Sequence, residues 1–256
     1  VAAGATADQM TAAISTLLDP NAPPTFNSIM AILAVVALAN TALFGGFVAI
    51  AALVNRRKLK SYITAAPRFR WNMLWAGLLL FVLLLGPVIW LEVVLNDHEV
   101  AMPILTLAQT TPQRITYFLV ALVALLFAAG VEELLCRGWL LKQTAAWSRN
   151  FWVLAIVNGV IFSALHFPDT DPNAFIGRAL MAVGFCYMAL RTGGIEFATG
   201  AHTANNLLLI LFVQTPPMSP APPEPLSAQS NISTLVAFAA MELAEQQLHH
   251  ALRLRH

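Results

Sequence analysis

Apolar residues in this chain gather in long runs instead of alternating with polar ones. The runs cover residues 28–54, 71–95, 115–136, 151–167, 174–190 and 195–213. Most approach the roughly 20 residues that a helix needs to cross a bilayer. A weaker seventh run, 231–247, begins at Asn231 and meets Glu242 and Glu245. It reads as a span or as a half-buried interfacial helix. Only helices and closed barrels satisfy their backbone groups in lipid, and runs of this length are helical. The pattern predicts an all-α fold, a polytopic transmembrane helix bundle of about seven spans. No internal repeat is visible.

The connections divide the chain and orient it. Residues 1–27 form an N-terminal segment without a basic stretch followed by an apolar core, so no signal peptide is expected. Residues 28–110 hold the first membrane helices, and 111–213 hold the membrane core with the polar motifs described below. Residues 214–230 form a Pro-rich loop, an extended linker around Pro216, Pro217, Pro220 and Pro225, and 231–256 a C-terminal helix and tail. Residues 55–70 contain Arg56, Arg57, Lys58, Lys60, Arg68 and Arg70 with no acid. Residues 96–114 carry Asp97 and Glu99, and 168–173 carry Asp169 and Asp171. Basic loops face the cytoplasm, which predicts an extracytoplasmic N-terminus and an internal loop 55–70. Trp71, Trp75, Trp139, Trp147 and Trp152 flank connections on that same side, where indole rings favour the interface.

Composition agrees. Hydrophobic residues make up 58% and charged residues 11%, against about 45–50% and about 25% in soluble domains. The expected location is an integral, multi-pass position in a bacterial inner membrane. The formal net charge of +1 selects no partner class, and no nucleic-acid partner is expected. Cys136 and Cys186 lie in apolar runs and fit neither a disulfide framework nor a zinc spacing.

Ionisable groups inside a span are expensive and mark function by default. The third run contains Glu132, Glu133 and Arg137, the fourth Phe162 and His166, the sixth His202, Asn205 and Asn206. Glu133 and Arg137 are four apart and can pair on one helix face. Glu132 is turned by about 100° from Glu133 and is left for other work. His202 and Asn206 share a face, and Phe162 packs beside His166 at the same spacing. With a turn near Ser148 and Arg149, Glu132 and His166 each lie roughly 25 Å from it along antiparallel helices. Equal depth supports one shared site.

Glu132-Glu133…Arg137, Phe162…His166 and His202…Asn206, in this order on successive helices, resemble the CPBP family. That family comprises type II CAAX prenyl endopeptidases and bacteriocin-processing or immunity proteins, also called ABI proteins. The resemblance covers about residues 115–213. It implies a glutamic intramembrane endopeptidase without a cofactor. Glu132 and His166 would activate a water, and His202 and Asn206 would form an oxyanion hole. Glu133 and Arg137, with Phe162, would support these groups. The implied partners are the lipid bilayer and a membrane-anchored protein or peptide substrate. Alternatives on the same residues are a metal site of Glu132, His166 and His202, a non-catalytic membrane immunity or adaptor protein, and a proton-coupled transporter.

Overall fold

The computed structural model describes residues 6, 23–95, 102–166, 172–213 and 215. The seventh run, Pro216 to Pro225, the acidic clusters 97–99 and 169–171 and the C-terminal tail lie outside these residues. Among the described residues the chain is helical and forms no strand. Its single extended pairing is an isolated bridge between Thr64 and Gly194.

Helix α1 (Phe26–Asn40) opens with a capping box. The Thr25 hydroxyl accepts from the Ser28 backbone N–H, and the Ser28 hydroxyl accepts from that of Thr25. A π-helical stretch, Thr41–Gly45, carries the helix into α2 (Gly46–Val54). Together they form one apolar span of 29 residues. The basic loop contains a short α3 (Lys60–Ile63), and the second span is α4 (Trp71–Leu95). A one-turn α5 (Pro103–Thr106) precedes α6 (Thr111–Glu133), which opens with a second capping box, Thr110 with Gln113. A second π-helical stretch, Leu134–Leu140, joins α6 to α7 (Leu141–Thr144). Asn150 caps α8 (Phe151–Ala164), and α9 (Pro172–Thr192) and α10 (Glu196–Phe212) follow.

The third span is longer than the run 115–136 predicts, extending over Thr111–Thr144. Glu132, Glu133 and Arg137 do not end it, because two of them neutralise each other within the helix. Among the described residues four helices are long and apolar enough to cross a membrane: Phe26–Val54, Trp71–Leu91, Thr111–Thr144 and Pro172–Thr192. Large apolar side chains point outward along them, with Leu38 72%, Leu83 69% and Phe127 57% exposed. Such a surface suits lipid and not water. The chain is an integral membrane protein.

Helix α10 is buried along most of its length and organises the bundle. It meets α4 at glycines. A Cβ on Gly200 would collide with the Leu74 carbonyl oxygen, and one on Gly77 with the Phe197 carbonyl oxygen. Small residues let two membrane helices approach this closely. Around that seam pack Phe81, Leu85, Phe185, Phe197 and Leu208. On its other side α10 meets α1 and α6 through Ile29, Leu33, Tyr117, Leu125 and Leu207. The Tyr117 hydroxyl donates to the Ile210 carbonyl at 3.1 Å.

The loop after α3 folds onto the start of α10. The Ala65 N–H donates to the Gly193 carbonyl at 2.8 Å, and the Ile195 N–H to that of Ile63 at 2.9 Å. Gly193 holds φ at +70°, a left-handed position that suits glycine. Arg70 donates from Nε and Nη2 to the two Glu196 oxygens, at 3.0 and 2.7 Å, and from Nη1 to the Thr192 carbonyl at 2.7 Å. Glu196 is fully buried. The bidentate geometry is the strong form of an Arg–carboxylate pair. Arg70 therefore does more than add charge to a basic loop.

Candidate active site

The two acids at the end of α6 point to different partners, as their 100° separation requires. Glu133 is fully buried. Its Oε1 lies 2.9 Å from Arg137 Nη1, completing the expected ion pair inside the helix. The same oxygen lies 2.9 Å from His202 Nδ1 on α10, a second partner that spacing did not indicate. Arg137 is also buried. It donates from Nη2 to the Ala182 carbonyl of α9 at 3.1 Å. Its guanidinium stands 4.6 Å from the Phe162 ring centre and 5.3 Å from that of Phe185. The cation lies between two rings, with a carboxylate and a carbonyl at its edge, while Arg137 Nε and Glu133 Oε2 are buried without a hydrogen-bond partner. Arg137 thereby ties α6 to α8 and α9, and Glu133 ties it to α10.

Glu132 is partly exposed, at 17% of its side-chain surface. Its Oε1 accepts a hydrogen bond from Asn40 Nδ2 at 2.9 Å, and its Oε2 lies 3.7 Å from His202 Nε2. His202 thus stands between two carboxylates, with Nδ1 on Glu133 and Nε2 toward Glu132. The Nδ1 proton donates to Glu133, which fixes the tautomer of the neutral ring. The ring is further held by Phe185, stacked at 5.5 Å, and by the edge of Phe162 at 5.7 Å.

His166 follows the end of α8 and is exposed. Its Nδ1–H donates to the Phe162 carbonyl at 3.0 Å, which leaves Nε2 as the acceptor in the neutral ring. Its ring centre lies 5.0 Å from that of Phe162, so the expected contact is present. Asn206 lies one turn beyond His202 on α10 and is half-buried. Asn205 Nδ2 donates to Asn206 Oδ1 at 3.1 Å. With its oxygen engaged, Asn206 offers its amino group as a donor.

Glu132, Glu133, Arg137, Phe162 and His202 form one contact network, with His166 against Phe162 at its edge. Asn206 joins it through helical spacing from His202 alone. Among the described residues no group of three or more His, Cys, Asp or Glu side chains is gathered as metal ligands would be. A cavity of about 250 Å³ lies between α3 with the two residues after it, α7 and the turn from α9 into α10. It touches Arg137 but none of Glu132, His166, His202 or Asn206.

Two polar groups escaped the sequence reading. Asn40 is the one amide within the mostly apolar run 28–54, and that was the available signal. Glu196 looked like the polar edge of a run, and no local spacing ties it to Arg70, 126 positions away.

Residues 114–208 match the family described as type II CAAX prenyl endopeptidase Rce1-like. The chain is also similar to an uncharacterised protein, YyaK, of Bacillus subtilis (strain 168), at 27% identity over 166 residues. That alignment takes in 62% of this chain and 54% of the relative, so it spans about half the relative's length. No solved structure matches the chain. Glu132, Glu133, Arg137, Phe162, His166, His202 and Asn206 all fall inside the segment that matches the Rce1-like family of type II CAAX prenyl endopeptidases.

Proposed function

We propose that this protein is an intramembrane endopeptidase of the glutamic type, acting on a membrane-anchored protein or peptide in a bacterial inner membrane. One observation carries the reading. The Glu132 carboxylate, inside an apolar helix, holds one oxygen 3.7 Å from His202 Nε2, and His166 packs on the Phe162 ring that also meets His202. A carboxylate and an imidazole around one polar point are the parts of a general base. In this reading Glu132 and His166 together take a proton from water, and the hydroxide adds to the scissile carbonyl carbon. The oxyanion that forms accepts hydrogen bonds from Asn206 Nδ2 and from His202 Nε2 when that ring carries both protons. As the C–N bond breaks, the proton passes to the leaving amine, giving a carboxylate and a new N-terminus. Glu133 and Arg137 orient His202 and the end of α6. A prenylated substrate follows from the family description alone.

An adaptor or immunity role has no use for a carboxylate facing an imidazole inside the bundle, and a proton relay has no use for an amide donor one turn away on the same helix. The test is cleavage of a membrane-anchored reporter peptide by the purified full chain in proteoliposomes. Glu132→Gln is expected to abolish cleavage while leaving the fold intact. Asn206→Ala is expected to lose on the order of 100- to 1,000-fold in single-turnover rate with KM little changed, as for a lost oxyanion donor. A chelator is expected to leave the rate unchanged. Wild-type cleavage by Glu132→Gln would overturn the proposal. Loss on chelation with recovery on zinc would replace its water-activation step.

A further inference from the structure

We infer that Asn40, on the first membrane span and outside the segment that defines the family, is a positioning residue for the Glu132 carboxylate. The inference rests on the protease reading of Glu132.

An amide in an apolar span is costly unless it finds a partner. Asn40 is half-buried and flanked along its helix by the lipid-facing Val35, Val36, Leu38 and Leu43. It donates from Nδ2 to Glu132 Oε1 at 2.9 Å, across 92 positions of sequence. The local backbone is shaped for this contact. The π-helical stretch Thr41–Gly45 begins at the next residue. The Thr41 hydroxyl donates back to the Ala37 carbonyl at 2.6 Å. Such back-bonding bends helices, and π-helical turns change the phase between the helical segments on either side. Gly45, at the far end of the stretch, packs beside Val131, where a Cβ would stand 3.4 Å from Val131 Cγ1. Both ends of the irregular stretch therefore abut the turn that carries Glu132.

The consequence is orientational. The terminal torsion of a glutamate is broad and has roughly two-fold preference. A free Glu132 carboxylate would turn between several settings. With Oε1 held by Asn40, Oε2 is the oxygen aimed toward His202 Nε2. Water then meets one defined oxygen. Positioning of this kind acts on the rate of the chemical step and leaves substrate affinity alone.

The experiment uses the full chain in proteoliposomes, with single-turnover rate and KM measured for Asn40→Ala, Asn40→Asp and Asn40→Leu beside Glu132→Gln. Folded fraction is read from thermal unfolding in detergent, and rates are expressed per folded molecule. Asn40→Ala and Asn40→Leu are expected to lose on the order of 10- to 100-fold in rate at unchanged KM, the size that a small misplacement of a reacting group can cost. Asn40→Asp keeps the shape but turns the donor into an acceptor, and is expected to lose at least as much. A space-filling role for Asn40 predicts the opposite, with Asn40→Asp near wild type per folded molecule. That result, or a raised KM at unchanged rate, would overturn the inference. Asn40 is half-buried, so Asn40→Ala removes little packing and carries the test if Asn40→Asp does not fold. Silent Glu132→Gln with normal Asn40 variants would remove Asn40 alone. Active Glu132→Gln would instead remove the protease reading beneath it.

Discussion

A single oxygen of Glu133 takes both Arg137 and His202, each at 2.9 Å. Removing its charge therefore has two effects. Glu133→Gln leaves Arg137 buried without a counter-ion, a loss on the order of 3–5 kcal/mol for a broken buried pair. It also frees the His202 ring to turn. The expected outcome is a large drop in thermal stability in detergent, with cleavage reduced in the molecules that stay folded. Glu132→Gln, whose side chain is partly exposed and meets Asn40 and His202, should melt near wild type. Equal melting of the two variants would contradict this division. Arithmetic on spacing was enough to read it, because Glu133 and Arg137 lie on one helix face and Glu132 does not. The bond from Glu133 to His202 joins positions 69 apart. Only the packing of α6 against α10 creates it.

Among the elements, α4 and α10 are held together by missing side chains. Gly200→Val pushes a branched side chain toward the Leu74 carbonyl, and backbone cannot move aside as a side chain would. Overpacking of this kind costs about 1–3 kcal/mol and sometimes more. Here it would also displace His202, half a turn further along the same helix. Gly86, on α4, has open space where its Cβ would be. Gly86→Ala is expected to leave the melting temperature and the yield of folded protein unchanged, while Gly200→Val lowers both. The six runs between 28 and 213 were legible as helices because lipid demands long apolar stretches. Three features were not. The π-helical stretches at Thr41–Gly45 and Leu134–Leu140 leave no mark in hydropathy. The Arg70–Glu196 clasp depends on a loop folding back on a helix start. The contact of Asn40 with Glu132 needs two helices side by side, and no motif in the chain names that neighbour.

For the molecule as a whole, six basic residues in one connection predict which side that loop faces. A cysteine at the exposed Lys58 is expected to resist membrane-impermeant thiol reagents in intact cells and to react once the membrane is opened. Labelling in intact cells would invert the topology. The helices that bring the two histidines are the short ones. Helix α8 has 14 residues and α10 has 17. At 1.5 Å per residue they measure about 21 and 26 Å, against a hydrocarbon core of about 30 Å. A bilayer meeting a short lipid-facing helix thins to match it, at a fraction of a kcal/mol per Å. Trp152, Val153, Ile156, Val157 and Val160 of α8 are exposed, so this helix meets lipid directly. A bilayer that thins to fit α8 would bring headgroups and water closer to His166, just past the end of that helix. If the proposed cleavage takes place there, its rate in proteoliposomes is expected to fall as acyl chains lengthen, since each added ångström of thickness makes that thinning costlier.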